Sequence, residues 1–185
     1  MNPWYAKAVV LAASVAMVVI RAPHGSRSRK GTLEVVLLIV AWLSFFLPLL
    51  WVWKPIFRFA DYPLHPVAFA AGVVCFAFGL WIFYLSHKHL GDFWSITLEV
   101  REKHRLVTEG IYRRVRHPMY LGLFVYSLGQ ALALPNWVVG PSYLAGFGLL
   151  FALRIAAEER MMRDEFPGEY EAYAARTKRL IPGVW

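Results

Sequence analysis

Arg113, Arg114, Arg116 and His117 crowd into five positions just ahead of Pro118, and an apolar run, Met119–Leu134, begins at once. A proline suits the first turn of a helix, where its missing N–H is not needed. The pattern predicts a helix starting near Pro118 with Arg116 and His117 at its mouth. The unsatisfied N–H groups and positive end of such a helix favour an anionic group. Arginines ahead of an apolar helix also serve as plain interface anchors, so this stretch alone leaves both readings open.

A second charged stretch bears on the choice. Arg154 and Glu158 are four apart and therefore share one helix face, and Glu159 and Arg160 continue round it. Only Pro135 and Asn136 separate Met119–Leu134 from the next apolar run, Trp137–Ala157, so the two runs read as a tight helical hairpin. Counting equally back from the turn puts position 118 level with position 153. His117 and Tyr120 thus reach the depth of Arg154 and Glu158. An isolated surface Arg–Glu pair contributes only about 0.3 kcal/mol. Facing a second charged constellation across a hairpin, it reads instead as one wall of a concave polar site at the lipid boundary.

The elements that must carry this site are membrane spans. The 185 residues are 58% hydrophobic, with a mean hydropathy of +0.46. Trp4–Ile20, Leu33–Trp53 and Val67–Leu85 are each long enough to cross roughly 30 Å of hydrocarbon at about 1.5 Å per residue. With the hairpin this makes five spans: an all-α polytopic membrane protein with a polar cytoplasmic cap. The expected division is a three-span scaffold, residues 1–86, and a half that carries the polar site, residues 87–185. Span one is expected to be retained, since no small-residue cleavage site precedes Arg21. Pro48 is placed to kink span two near its end.

The net charge of +8 would suit a nucleic-acid partner, but its distribution follows the membrane. Arg21–Lys30, Lys88–Arg116 and Arg154–Arg179 hold 4, 7 and 6 of the 20 basic residues. Five crossings put all three segments on one side, which the positive-inside rule makes the cytoplasm. The N-terminus then lies outside and the C-terminus inside. Lys54 and Arg58 break the asymmetry, and Lys7 snorkels from the end of span one. No nucleic-acid partner is expected.

Spans one to three carry no ionisable group near mid-membrane, which argues against a transporter. His87 and His89 resemble a ligand pair, but no Cys, Asp or Glu completes a set, so they are read as interfacial and no metal is expected. Neither a Walker loop nor a GxGxxG fingerprint occurs, which removes support for a nicotinamide reductase. Phe166–Trp185 has Tyr170, Tyr173 and Arg176 at helical spacing and reads as a short amphipathic helix under the cap.

Taken together, His104-Arg105-Leu106-Val107, Gly110-Ile111-Tyr112-Arg113, Arg116-His117-Pro118-Met119-Tyr120-Leu121-Gly122, Glu158-Glu159 and Phe166…Tyr170…Tyr173 resemble the isoprenylcysteine carboxyl methyltransferase family. The wider RHPxYxG…EE pattern is shared with membrane phospholipid N-methyltransferases. The resemblance covers roughly residues 87–182. It implies a methyltransferase using S-adenosyl-L-methionine and releasing S-adenosyl-L-homocysteine. By position, it implies cofactor contacts from Glu99, His104, Arg105, Leu106, Val107, Tyr112, Arg116, His117, Pro118, Met119, Tyr120 and Glu158. Arg154 would hold the substrate, and Arg154, Glu158 and Glu159 would form the catalytic set. The implied acceptor is a prenyl-cysteine or similar lipophilic acid drawn from the membrane. A phospholipid amine or a thiol stays open as acceptor, since the alanine- and arginine-rich composition resembles that of bacterial chains.

Overall fold

The computed structural model describes residues 3–22, 32–90 and 106–184. Among them the chain is helical, with only two isolated β-bridges, Asp61 with Asn136 and Val115 with Lys178. The long helices are α1 (Pro3–Arg21), α2 (Thr32–Trp53), α3 (Pro66–Leu90), α4 (Pro118–Ala133) and α5 (Val139–Glu165), followed by the short α6 (Glu169–Arg176). A six-residue 3-10 segment kinked at Phe57, Pro55–Ala60, leads into α3, and a short 3-10 turn, Gly110–Arg113, leads into α4.

Prolines set several of these starts. Pro66 and Pro118 open α3 and α4, as their fixed φ and absent N–H allow. Pro48 lies inside α2, and the helix is continuous through it. α1, α2, α3 and α5 are each long and apolar enough to cross a membrane. α4, with 16 residues, has the length of the run Met119–Leu134 shifted by one position, and is shorter than these four helices. It ends at Ala133 because Leu134 turns extended ahead of Pro135. The chain is a multi-pass membrane protein of helical build. Its outward faces carry exposed apolar side chains such as Val19, Ile39, Leu43, Val74 and Leu153, as lipid contact requires.

α4 packs most extensively on α3, through a seam the sequence reading did not pick out. Gly79 faces Gly122 and Tyr126, while Gly72 faces Gly129 and Ala133, in antiparallel register. A methyl group added at Gly79 would lie 2.6 Å from the Tyr126 nitrogen, and one at Gly72 would lie 2.8 Å from the Ala133 nitrogen. Glycine is therefore needed here for close backbone approach. Tyr126 fills the space beside the seam, with Phe45, Phe76 and Tyr143 around its ring.

The Pro135-Asn136 turn is built as the hairpin requires. Asn136 Oδ1 accepts from the Val138 and Val139 amides at 3.0 and 2.8 Å and so caps α5. Asn136 Nδ2 donates to the Phe57 carbonyl and to Asp61 Oδ1, tying the turn to the Pro55–Ala60 segment. At the far end α5 runs on to Glu165, and Gly168, at φ +79°, turns the chain into α6. Tyr170 and Tyr173 bury their side chains there, as the spacing predicted.

Candidate active site

The mouth of α4 is held from behind by the C-terminal tail. The Arg116 amide donates to the Lys178 carbonyl at 2.8 Å, and the His117 amide donates to the Arg179 carbonyl at 3.0 Å. His117 then takes the N-cap position, and its side chain does not cap the helix. Its imidazole reaches across the hairpin to α5. Nδ1 lies 3.7 Å from Glu158 Oε1, and Nε2 lies 3.4 Å from Glu159 Oε1. Burial by itself would lower the histidine pKa, but the two carboxylates outweigh it and raise it above its ordinary value.

Adjacent residues on a helix point about 100° apart, so Glu158 and Glu159 serve two different groupings. Glu159 is 1% exposed and sits in a knot of arginines. Arg116 Nε and Nη2 donate to Oε1 at 3.1 and 2.9 Å. Arg179 donates from Nε to Oε1 at 3.1 Å and from Nη2 to Oε2 at 2.8 Å. Arg163 adds a longer contact to Oε2 at 3.6 Å. Arg116 also donates to the carbonyls of Ala174 and Thr177, so one guanidinium joins α5, α6 and the tail. Every polar atom of this carboxylate is satisfied, the condition for burying a charge.

Glu158 is the open member of the pair, with 24% of its side chain exposed. Tyr120 donates its hydroxyl to Oε2 at 2.6 Å, and Arg154 Nε lies 3.5 Å from the same oxygen. His117, Tyr120, Arg154 and Glu158 thus meet at one place, at the depth inferred from the hairpin. The Tyr120 ring stands edge-on to Phe151, with centroids 5.2 Å apart, which fixes the hydroxyl over α5. An imidazole, a carboxylate and a guanidinium meet here beside the first turn of α4. That set of charges can grip the ammonium and carboxylate of an amino-acid ligand.

The other expected site residues are placed differently. Tyr112 is buried behind the mouth: its hydroxyl donates to the Ser86 carbonyl at 3.4 Å, and its carbonyl accepts from the Tyr173 hydroxyl at 2.6 Å. Burial pushes its phenol well above the ordinary range, so it stays protonated. Pro118 is buried, and Met119 packs on the apolar core. Leu106 and Val107 are half-buried in the segment leading to Gly110. Glu99, His104 and Arg105 lie outside the described residues. His87, read as interfacial, is buried in α3, with Nδ1 2.8 Å from the Phe83 carbonyl and its ring 4.3 Å from that of Phe83. The bond to the carbonyl one turn back holds the imidazole inside the helix packing. Arg163, Tyr173 and Arg179 were not singled out as site residues. Arg163 lies four residues after Glu159 on α5, a spacing the sequence does show, whereas the partners of Tyr173 and Arg179 are fixed only when the tail folds back, and no local pattern marks that.

A family model described as phospholipid methyltransferase matches residues 67–169. Protein-S-isoprenylcysteine O-methyltransferase B of Arabidopsis thaliana is 35% identical over 89 residues, which are 48% of this chain and 45% of that protein. The protein-S-isoprenylcysteine O-methyltransferase of Schizosaccharomyces pombe is 37% identical over 92 residues, 49% of this chain and 39% of the relative. These matches span less than half the length of either relative. A solved structure of a eukaryotic intramembrane isoprenylcysteine carboxyl methyltransferase shares the fold, with a TM-score of 0.55 at 21% identity over 95% of this chain and 62% of that one. The family match begins inside the third span, earlier than the motifs alone reached, and so takes in the glycine seam as well as the hairpin. Because that match extends over more than half of the sequence, the chain belongs to the phospholipid methyltransferase family.

Proposed function

We propose that this protein is an S-adenosylmethionine-dependent methyltransferase of the membrane interface, acting on the carboxylate of a lipophilic, prenyl-cysteine-like acid. The observation that carries the reading is the convergence of His117, Tyr120 and Arg154 on Glu158. The names of the relatives support carboxyl transfer. Residues 87–185 form the cofactor-binding half and residues 1–86 the scaffold, with the charged cluster and the C-terminus on the cytoplasmic side.

The donor set fits the cofactor's amino-acid end. The α4 mouth and His117 receive its carboxylate, and Glu158, aimed by Tyr120, receives its ammonium. Leu106, Val107, Met119 and Tyr120 are assigned to the adenosine side. When bound, S-adenosylmethionine would supply a sulfonium methyl whose carbon an acceptor oxygen could attack in line, the O–CH3 bond forming as the S–CH3 bond breaks and the neutral thioether leaves. Arg154 holds that acceptor carboxylate by its fork of N–H donors. A carboxylate is already ionised at neutral pH, so no general base is needed. The protein's work is positioning and exclusion of water. Glu159 acts as a positioning residue: it fixes Arg116 and, through it, the α4 mouth.

The description of the family model favours a second reading, transfer to a phospholipid amine. An amine must shed a proton, and Glu158 is the exposed carboxylate available to take it. One experiment separates the two. The purified full chain is incubated with methyl-labelled cofactor and either farnesyl-cysteine acids or phosphatidylethanolamine. Label that base releases as methanol marks an ester and supports carboxyl transfer. Base-stable label in the phospholipid selects the amine, and label in neither acceptor refutes both.

A further inference from the structure

We propose that the end of the helices remote from the charged cluster holds a binding site for the phosphate of an anionic lipid headgroup. Of the 20 basic residues, only Lys7, Lys54 and Arg58 fall outside the three basic segments. All three line a single cleft of about 200 Å³ between the start of α1, the end of α2 and the Pro55–Ala60 turn. The cleft lies beside the Asn136 turn, so the length of α4, roughly 24 Å, separates it from His117.

Asp61 is the one acid in the lining, and it is turned to other work. Its Oδ1 accepts from Trp51 Nε1 at 2.8 Å and from Asn136 Nδ2 at 2.6 Å. Lys7 Nζ lies 5.1 Å from the Trp4 ring centre and 5.5 Å from that of Trp51, and donates to the Val52 carbonyl at 3.4 Å. Such contacts hold an ammonium without neutralising it. Lys54 and Arg58 are exposed and form no ion pair among the described residues. The cleft therefore presents three cations with no anion paired to them. Trp4, Trp53, Phe59 and Trp137 stand exposed around this end, the aromatic belt of a headgroup layer. Phosphate is the anion that layer supplies. The belt selects a lipid phosphate over a free one, because a lipid's glycerol and upper chains would lie along those rings.

The test uses the full chain in detergent with short-chain phosphatidylglycerol, phosphatidylcholine of equal chain length, and inorganic phosphate, read as retained lipid in native mass spectra. Phosphatidylglycerol is expected to be held in preference to phosphatidylcholine. A cation at this depth strengthens an anionic lipid about fivefold, so the double variant Lys54→Gln/Arg58→Gln should weaken phosphatidylglycerol about thirtyfold. Both side chains are exposed, and unchanged circular dichroism would show that the fold persists. Equal retention of the two lipids, or of phosphatidylglycerol by wild type and variant, would overturn the site. Displacement of the lipid by inorganic phosphate would make free phosphate the ligand and overturn the lipid assignment.

Discussion

Tyr120 and Glu158 stand 38 residues apart in the chain, yet the tyrosine hydroxyl donates to the glutamate at 2.6 Å. The bond locks the first turn of α4 to the last third of α5 and, with the longer contacts from His117 and Arg154, aims the carboxylate. A hydrogen bond to a charged group contributes about 1.5 kcal/mol or more. Tyr120→Phe should therefore weaken S-adenosylmethionine or its demethylated product roughly tenfold in calorimetric titration. Glu158→Ala should weaken it further. If both variants bind like wild type, Glu158 does not hold the cofactor.

Arg154 separates binding from turnover. It lies one turn before Glu158, with its Nε 3.5 Å from Oε2, and is assigned to the acceptor. Arg154→Ala should retain cofactor affinity within about twofold while losing turnover by a hundredfold or more, the range expected when a buried charged contact worth about 3 kcal/mol is removed. Arg154→Lys should recover only part of it, because an ammonium lacks the planar fork. Single-turnover assays beside calorimetry check the split.

The Glu159 knot is about stability. Glu159→Gln leaves Arg116 and Arg179 facing an uncharged group in a buried place, and removing one partner of a buried pair costs about 3–5 kcal/mol. Thermal unfolding in detergent should show a large loss. Replacing Glu159 and Arg116 together by apolar residues should cost less than the sum of the two single changes.

The raised pKa of His117 gives the fold a pH dependence. Its folded-state pKa is raised, so the charged form is the one the fold prefers. The stabilisation is fully present below the unfolded value of about 6.5 and is lost as pH rises through the elevated folded-state value. Melting temperature should fall over that window in wild type and change less in His117→Asn. A flat profile in wild type would remove the imidazolium from the account.

The hairpin and its register were legible because they rest on counting: two apolar runs, a two-residue break and helical rise fix which side chains share a depth. That brought His117, Tyr120, Arg154 and Glu158 together correctly. The different environments of Glu158 and Glu159 were not legible. Sequence placed them side by side as one acidic pair, but the 100° step between neighbours sends one to the mouth and the other into a knot closed by Arg179. That arginine arrives from a tail whose return path depends on tertiary packing of Tyr170 and Tyr173. The glycine seam left a trace, Gly72 and Gly79 matched by Gly122 and Gly129, but a periodicity of small residues gives no partner until two helices are paired. Likewise Lys7, Lys54 and Arg58 read singly as exceptions to the charge rule, and only the fold shows that they are neighbours.

Where Gly72, Gly79, Gly122 and Gly129 bring two backbones together, no gap the width of a hydrocarbon chain remains. That flank of the bundle is shut to the bilayer. On the proposed carboxyl-transfer reading, a greasy acceptor would reach Arg154 by another door, and the exposed Leu149 and Leu153, five and one positions before Arg154 on α5, mark the side from which it would slide in.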